Sequence, residues 1–157
     1  MLKLASTLLL SSACLLAADY SGTWAADIQK SNFGRTPYAS YVMKLEQTAP
    51  NTFRVTVDSV NLDGEASLEQ FTRIYDGKEH RIYDDGKDHP GMSKGASEIC
   101  TQVDPVTRHI LQKTDGKVTS ELDSTISADG KTMITRRTVP TPEGGKREVQ
   151  VFVFERQ

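Results

Sequence analysis

Along most of this chain apolar and polar residues alternate one for one, the period of a strand with one dry and one wet face. Phe53, Val55 and Val57 oppose Arg54, Thr56 and Asp58, and Tyr41, Met43 and Leu45 oppose Val42, Lys44 and Glu46. Val118, Ser120, Leu122, Ser124 and Ile126 share one face against Thr119, Glu121, Asp123 and Thr125. No window of comparable length carries a 3.6-residue apolar stripe, so helix is not expected. The pattern predicts strands near 22–29, 39–48, 52–60, 67–75, 79–84, 98–103, 106–113, 117–127, 131–139 and 147–156.

Gly-centred turns punctuate these segments: Asp63-Gly64-Glu65, Asp76-Gly77-Lys78, Asp85-Gly86-Lys87, Asp115-Gly116-Lys117, Asp129-Gly130-Lys131 and Gly144-Gly145-Lys146. Asp-Gly suits the type I′ turn, whose twist matches that of the strands it joins, so each is a candidate hairpin. Tight turns cannot carry a crossover, and consecutive strands must then pair with their neighbours. An open meander of about eight to ten strands would leave two long edges free to aggregate. Closure removes them, and the expected fold is all-β: an antiparallel up-and-down meander forming a closed or nearly closed barrel. Two stretches break the rhythm, Lys30–Pro37 and Asp88–Ser97, and are expected to be loops at a barrel mouth or at a gap in the sheet.

The first residues follow another rule. Lys3 is followed by an uncharged run, Leu4 to Leu16, too short to span a bilayer and ending in Leu16-Ala17-Ala18 before Asp19. This is the pattern of a signal peptide over 1–18, cut after Ala17 or Ala18, with one domain over 19–157. A buried N-terminal helix is the alternative, but the run shows no helical stripe. Ser11-Ser12-Ala13-Cys14 half resembles a lipobox, which makes acylation of Cys14 a second alternative; Ser11 stands where a bulky aliphatic residue belongs, and Leu15-Leu16 prolong the run. The chain is therefore expected in the periplasm or outside the cell. Cleavage would remove Lys3 and no acid, taking the net charge from -2 to -3, and would leave Cys100 as the single cysteine. No intramolecular disulfide is then possible.

The next residues, Asp19-Tyr20-Ser21-Gly22-Thr23-Trp24, place a Gly-x-Trp at the start of the first strand. This resembles the calycins, the lipocalins and fatty-acid-binding proteins. The resemblance implies a lipocalin-like barrel whose floor is closed by Gly22 and Trp24, with a late-strand arginine over the Trp: Arg156 first, Arg137 second. The whole chain also resembles small secreted bacterial proteins that begin Ser-Gly-Thr-Trp and end in an aromatic-Glu-Arg-Gln tail, here Phe154-Glu155-Arg156-Gln157. It departs from the calycins in lacking the Thr-Asp-Tyr motif, the usual disulfide cysteines and a helix after the last strand. The Arg-x-Tyr pair with which fatty-acid-binding proteins hold a carboxylate is replaced by Val151-Phe152-Val153-Phe154.

Chemistry-bearing residues are sparse. His80, His89 and His109 fall on three different elements without metal-ligand spacing, and Asp84-Asp85-Gly86-Lys87-Asp88 lacks the alternation of a calcium loop, so neither metal nor cofactor is expected. Cys100 would need a histidine in space to act as a nucleophile, and no nucleophile elbow or phosphate loop is present. Lysines and arginines are scattered, against a nucleic-acid surface. On the strand near 131–139, Arg136 and Arg137 point to opposite faces, so one of them enters the barrel whichever face is inside. A buried arginine needs an anionic partner, either a ligand or a protein carboxylate such as Glu121 or Glu148; simple solvent exposure is the alternative. Arg136, with Tyr41, Tyr75 and Tyr83, is the expected ligand-binding set. The leading expectation is a monomeric, non-catalytic binding protein holding a small hydrophobic or amphipathic ligand. One alternative is a side-chain-filled scaffold acting through its outer surface, in the envelope or as a protease inhibitor. The other is a barrel-pocket isomerase or hydrolase.

Overall fold

In the computed structural model the described residues are 18–83 and 95–157. They form ten strands: β1 (Gly22–Ala26), β2 (Tyr38–Ala49), β3 (Thr52–Asn61), β4 (Ala66–Ile74), β5 (Glu79–Arg81), β6 (Ala96–Asp104), β7 (Thr107–Thr114), β8 (Lys117–Ile126), β9 (Thr132–Pro140) and β10 (Lys146–Arg156). All lie in one antiparallel sheet in the order β4-β3-β2-β1-β10-β9-β8-β7-β6-β5. Because β1 pairs with β10, through Trp24 opposite Arg156, the meander bends back on itself. Only β4 and β5, neighbours in the chain, do not pair with each other, so the barrel is nearly closed. No helix of the described residues is long and apolar enough to cross a membrane.

The turns divide by what their backbone does. At Asp115-Gly116 both residues have positive φ, 49° and 75°, which is the type I′ geometry its sequence favours, and β7 and β8 pair on either side. Asp76-Gly77-Lys78, read from sequence as one more hairpin, instead marks the opening of the sheet. There the Gly77 N–H donates to the Cys100 carbonyl of β6 at 3.0 Å, and Asp76 accepts from the Lys78 N–H at 2.9 Å and pairs with His80. The turn thus bonds to the next strand but one and does not hold β4 to β5. The strand expected over 22–29 stops at Ala26, where the Asp27 carboxylate accepts the N–H groups of Gln29 and Lys30 and turns the chain. Asp85-Gly86-Lys87 and His89 lie outside the described residues, as does most of the loop expected over Asp88–Ser97; Ala96 and Ser97 already belong to β6.

The core is asymmetric along the barrel axis. At one end, the floor, residues 18–21 cross beneath the strands. The Tyr20 hydroxyl donates to the Val106 carbonyl at 2.6 Å, the Trp24 indole N–H donates to the Tyr20 carbonyl at 3.0 Å, and the Ala18 N–H donates to the Pro105 carbonyl. Tyr20, Trp24, Phe53, Ile126, Met133 and Phe154 are nearly inaccessible and pack together there. Each aromatic ring removes roughly 150–250 Å² from water. At about 25 cal/mol per Å² that is several kcal/mol per ring, which makes this the anchor of the fold. At the other end, Phe33 of the Lys30–Pro37 connection folds over the rim, 5.3 Å edge-to-face from both Tyr38 and Phe152, and its carbonyl accepts from Gln150 at 3.0 Å.

Candidate functional site

Above the floor the barrel is not filled. A cavity of about 360 Å³ lies between the sheet walls and is lined on its apolar side by Met43, Val55, Val57, Phe71, Phe152 and Phe154. Its polar lining comes from Glu69, Gln112, Ser124, Thr135, Arg137 and Gln150, with the hydroxyls of Tyr38 and Tyr41 at the rim side. Tyr41 packs edge-on or tilted against Tyr38, Phe152 and Phe154 at centroid distances of 5.1, 5.3 and 6.0 Å, and burial pushes its phenol well above the ordinary range.

Three arginines point inward, and each meets a different fate. Arg73 of β4 donates from Nε to both carboxylate oxygens of Glu98 on β6, at 3.1 and 3.2 Å, with both side chains largely withdrawn from solvent. This pair reaches past β5 and ties β4 to β6 from inside. Arg108 of β7 lies in the floor, its guanidinium carbon 3.8 Å from the Tyr20 ring centroid and 4.2 Å from those of Phe53 and Tyr75. Its Nε donates to Gln102 at 2.8 Å, and its buried Nη1, without a hydrogen-bond acceptor among the described residues, rests among the aromatic faces, an environment that attracts a cation. Arg137 of β9 lines the cavity. Its Nη1 donates to Gln150 at 3.1 Å, its buried Nε has no hydrogen-bond partner, and no carboxylate lies within ion-pair distance among the described residues.

The sequence reading placed Arg136 in the interior, and this is corrected. Arg136 is on the outer face, more than half exposed, paired with Glu148 at 3.1 Å. The reason is register. Met133 sits opposite Phe154 of β10 and packs into the floor, which turns Met133, Thr135 and Arg137 inward and their neighbours out. Of the tyrosines, Tyr41 lines the cavity, whereas Tyr75 lies below it, edge-on to Phe53 at 5.8 Å in the Arg108 cluster. Tyr83 stands at the β4–β5 gap, its ring 5.7 Å from Phe71 and its hydroxyl 3.4 Å from Glu69. The expected set is therefore split among cavity, floor, gap and outer surface. Arg73, Arg108 and Glu69 were missed by sequence reasoning. The signal was present: Glu69, Phe71 and Arg73 alternate with Gln70, Thr72 and Ile74, and Arg108 is two residues from the buried Ile110.

Gly22, Trp24 and Arg156 come together at the floor. The Arg156 guanidinium lies 4.4 Å from the Trp24 ring centroid and donates to the carbonyls of Gly130 at 2.8 Å, Ser21 at 2.6 Å and Asp19. A Cβ added at Gly22, whose φ is +125°, would stand 3.0 Å from Arg156 Nη1, so the glycine leaves room for that passage. Among the described residues no group of three or more His, Cys, Asp or Glu side chains could hold a metal ion. His109 pairs outward with Asp123 at 2.8 Å. Cys100 is buried in β6, and burial together with Glu98 pushes its thiol far above the reactive range.

No family model matches the chain, and no curated protein matches it significantly. Solved structures do. The wild-type fluorescent protein UnaG is 16% identical, with a TM-score of 0.59 over 88% of this chain and 97% of that one. A point mutant of the same protein is 17% identical, with a TM-score of 0.57 over 87% and 95%. At that identity the likeness speaks for fold alone, a ten-stranded, nearly closed antiparallel barrel.

Proposed function

We propose that this chain is an exported, non-catalytic binding protein that holds a small, partly apolar ligand inside its barrel. The observation that carries the reading is the cavity of about 360 Å³, whose wall is apolar and polar in about equal measure. Its size falls within the roughly 300–1,000 Å³ usual for small-molecule sites. A scaffold acting through its outer face has no use for an open interior, so the cavity weighs against that alternative. The wall residues suit binding more than bond-breaking: its ionisable members are Glu69, Arg73, Arg137 and tyrosines, with no thiol and no histidine among them. Export rests on the leader-like residues 1–18 and is checked by N-terminal sequencing of protein recovered from outside the cytoplasm, expected to begin at Ala18 or Asp19.

Organic extraction of the protein purified from its own cells, followed by mass spectrometry, tests the binding reading. A stoichiometric small amphiphile is expected. An empty extract, joined by no thermal shift against a library of lipids and aromatic acids, would overturn it.

A further inference from the structure

Three of the arginines scattered along the sequence meet beside the barrel mouth. A second hollow, of about 480 Å³, is bordered there by Arg35, Arg137 and Arg147. The one acid at its edge, Glu148, is already paired with Arg136 at 3.1 Å. Arg35 and Arg147 are exposed and form no ion pair with any described residue, so a chain of net charge -2 gathers three guanidinium groups against one engaged carboxylate. Thr36, Arg137 and Gln150 border the interior cavity as well, so the two spaces share a wall.

Two irregularities of the backbone bring these arginines together. Strand alternation counted from the inward Gln150 would turn Arg147 outward, but the β9–β10 register slips between Glu148 and Gln150. With Val149 as the extra residue, Arg147 stands opposite Val139, on the same face as Arg137. Bulges commonly re-aim a side chain in this way. The second irregularity is Gly34. A Cβ on this residue, whose φ is +65°, would stand 2.5 Å from the Val149 carbonyl oxygen, so only glycine lets the rim loop lie on the bulge and carry Arg35 to it. The loop is clamped there: Asn32 and Val151 exchange backbone bonds at 2.7 and 2.8 Å, and Gln150 donates to the Phe33 carbonyl at 3.0 Å. A concave site lined by one sign of charge concentrates the opposite ion. The guanidinium fork matches phosphate, whose ester carries about -1.5 to -2 at neutral pH and so suits more than one arginine. We propose that the hollow is a binding site for a phosphate group, held by Arg35 and Arg147 beside the half-buried Arg137. The phosphate is the head of an ester whose hydrocarbon passes the shared wall into the cavity, a placement that rests on the binding reading above.

Calorimetric titration in a phosphate-free buffer, with decanol, decyl phosphate and inorganic phosphate as probes, tests this. Decyl phosphate is expected to bind about tenfold tighter than decanol, a preference that shrinks as salt is raised. Arg35→Gln and Arg147→Gln should each reduce the preference by about threefold, as suits exposed charges, and the double variant should erase it while decanol binding stays unchanged. Both positions are exposed, so these variants keep the fold. Inorganic phosphate should bind more weakly than the ester and be lost in the double variant. If it binds as tightly as the ester, the occupant is the free ion and the ester is overturned. Decanol and decyl phosphate bound equally with inorganic phosphate silent, or a preference that survives the double substitution, would overturn the site and leave the binding reading standing. Phosphate binding without decanol binding would keep the site and overturn the interior reading, and no binding by any of the three would overturn both.

Discussion

At the floor of the barrel Arg108 is sandwiched by three aromatic rings and Arg156 is spent on three backbone carbonyls over Trp24. Higher up, in the cavity, Arg137 has one amide oxygen and an unmatched Nε. The same residue type thus closes the floor at one end and lines the cavity at the other. The difference lies in what faces each guanidinium. Around Arg108 stand the rings of Tyr20, Phe53 and Tyr75, whereas Arg137 borders the cavity. Interiors normally match their buried polar groups; Arg108 Nη1 has aromatic faces in place of an acceptor, whereas Arg137 Nε has no hydrogen-bond partner among the described residues.

Substitutions at the two levels should therefore behave oppositely. Trp24→Ala is expected to cost about 3–5 kcal/mol, enough to unfold much of the population, measured by urea denaturation. A loss below about 1 kcal/mol would mean that the floor is not the anchor. Glu98→Gln strands the Arg73 charge across the gap and should cost a similar ~3–5 kcal/mol. Replacing both partners, Arg73→Leu with Glu98→Leu, should recover most of that loss, and a double variant as unstable as the single one would argue that the pair does more than satisfy itself.

The floor also has a pH signature. Burial raises the Tyr20 phenol from 10.0 to about 12. A folded pKa above the unfolded one means that the stabilisation is complete below pH 10 and is lost as pH climbs from 10 through 12, by on the order of 2–3 kcal/mol. Denaturation midpoints across that window, with phenolate absorbance recorded in parallel, should show the loss in the native chain and a smaller one in Tyr20→Phe. Smallest of all should be Arg137→Met. Removing an unmatched donor ought to change stability by no more than about 0.5 kcal/mol, in either direction. A large destabilisation would place Arg137 with the structural arginines below it.

Much of the fold could be read from the chain because both of its signals are local. Period-two alternation sets the strands and Asp-Gly sets the corners, and the strand positions differ from expectation by a residue or two at most ends. The sheet opening was not legible. Asp76-Gly77 has the composition of its neighbours, and only the bonding of Gly77 to Cys100 of β6 shows that it serves another strand. The site was harder still. On β9 the two faces, Thr132, Ile134, Arg136 and Thr138 against Met133, Thr135, Arg137 and Val139, are nearly equal in polarity. What chooses between them is Met133 meeting Phe154 across β10, a long-range fact that no single strand carries. The cavity is subtler again, since its volume is what remains after every inward side chain has taken its rotamer.

On the proposed reading the interior, not the outer surface, receives the ligand. Two-dimensional amide and methyl NMR of the isotope-labelled protein titrated with decanoate addresses it directly. Shifts should gather at Met43, Glu69, Arg137, Gln150 and Phe152 and leave the exposed Leu62 and Leu68 unmoved. Shifts confined to the outer face, with the cavity residues silent at saturation, would contradict it.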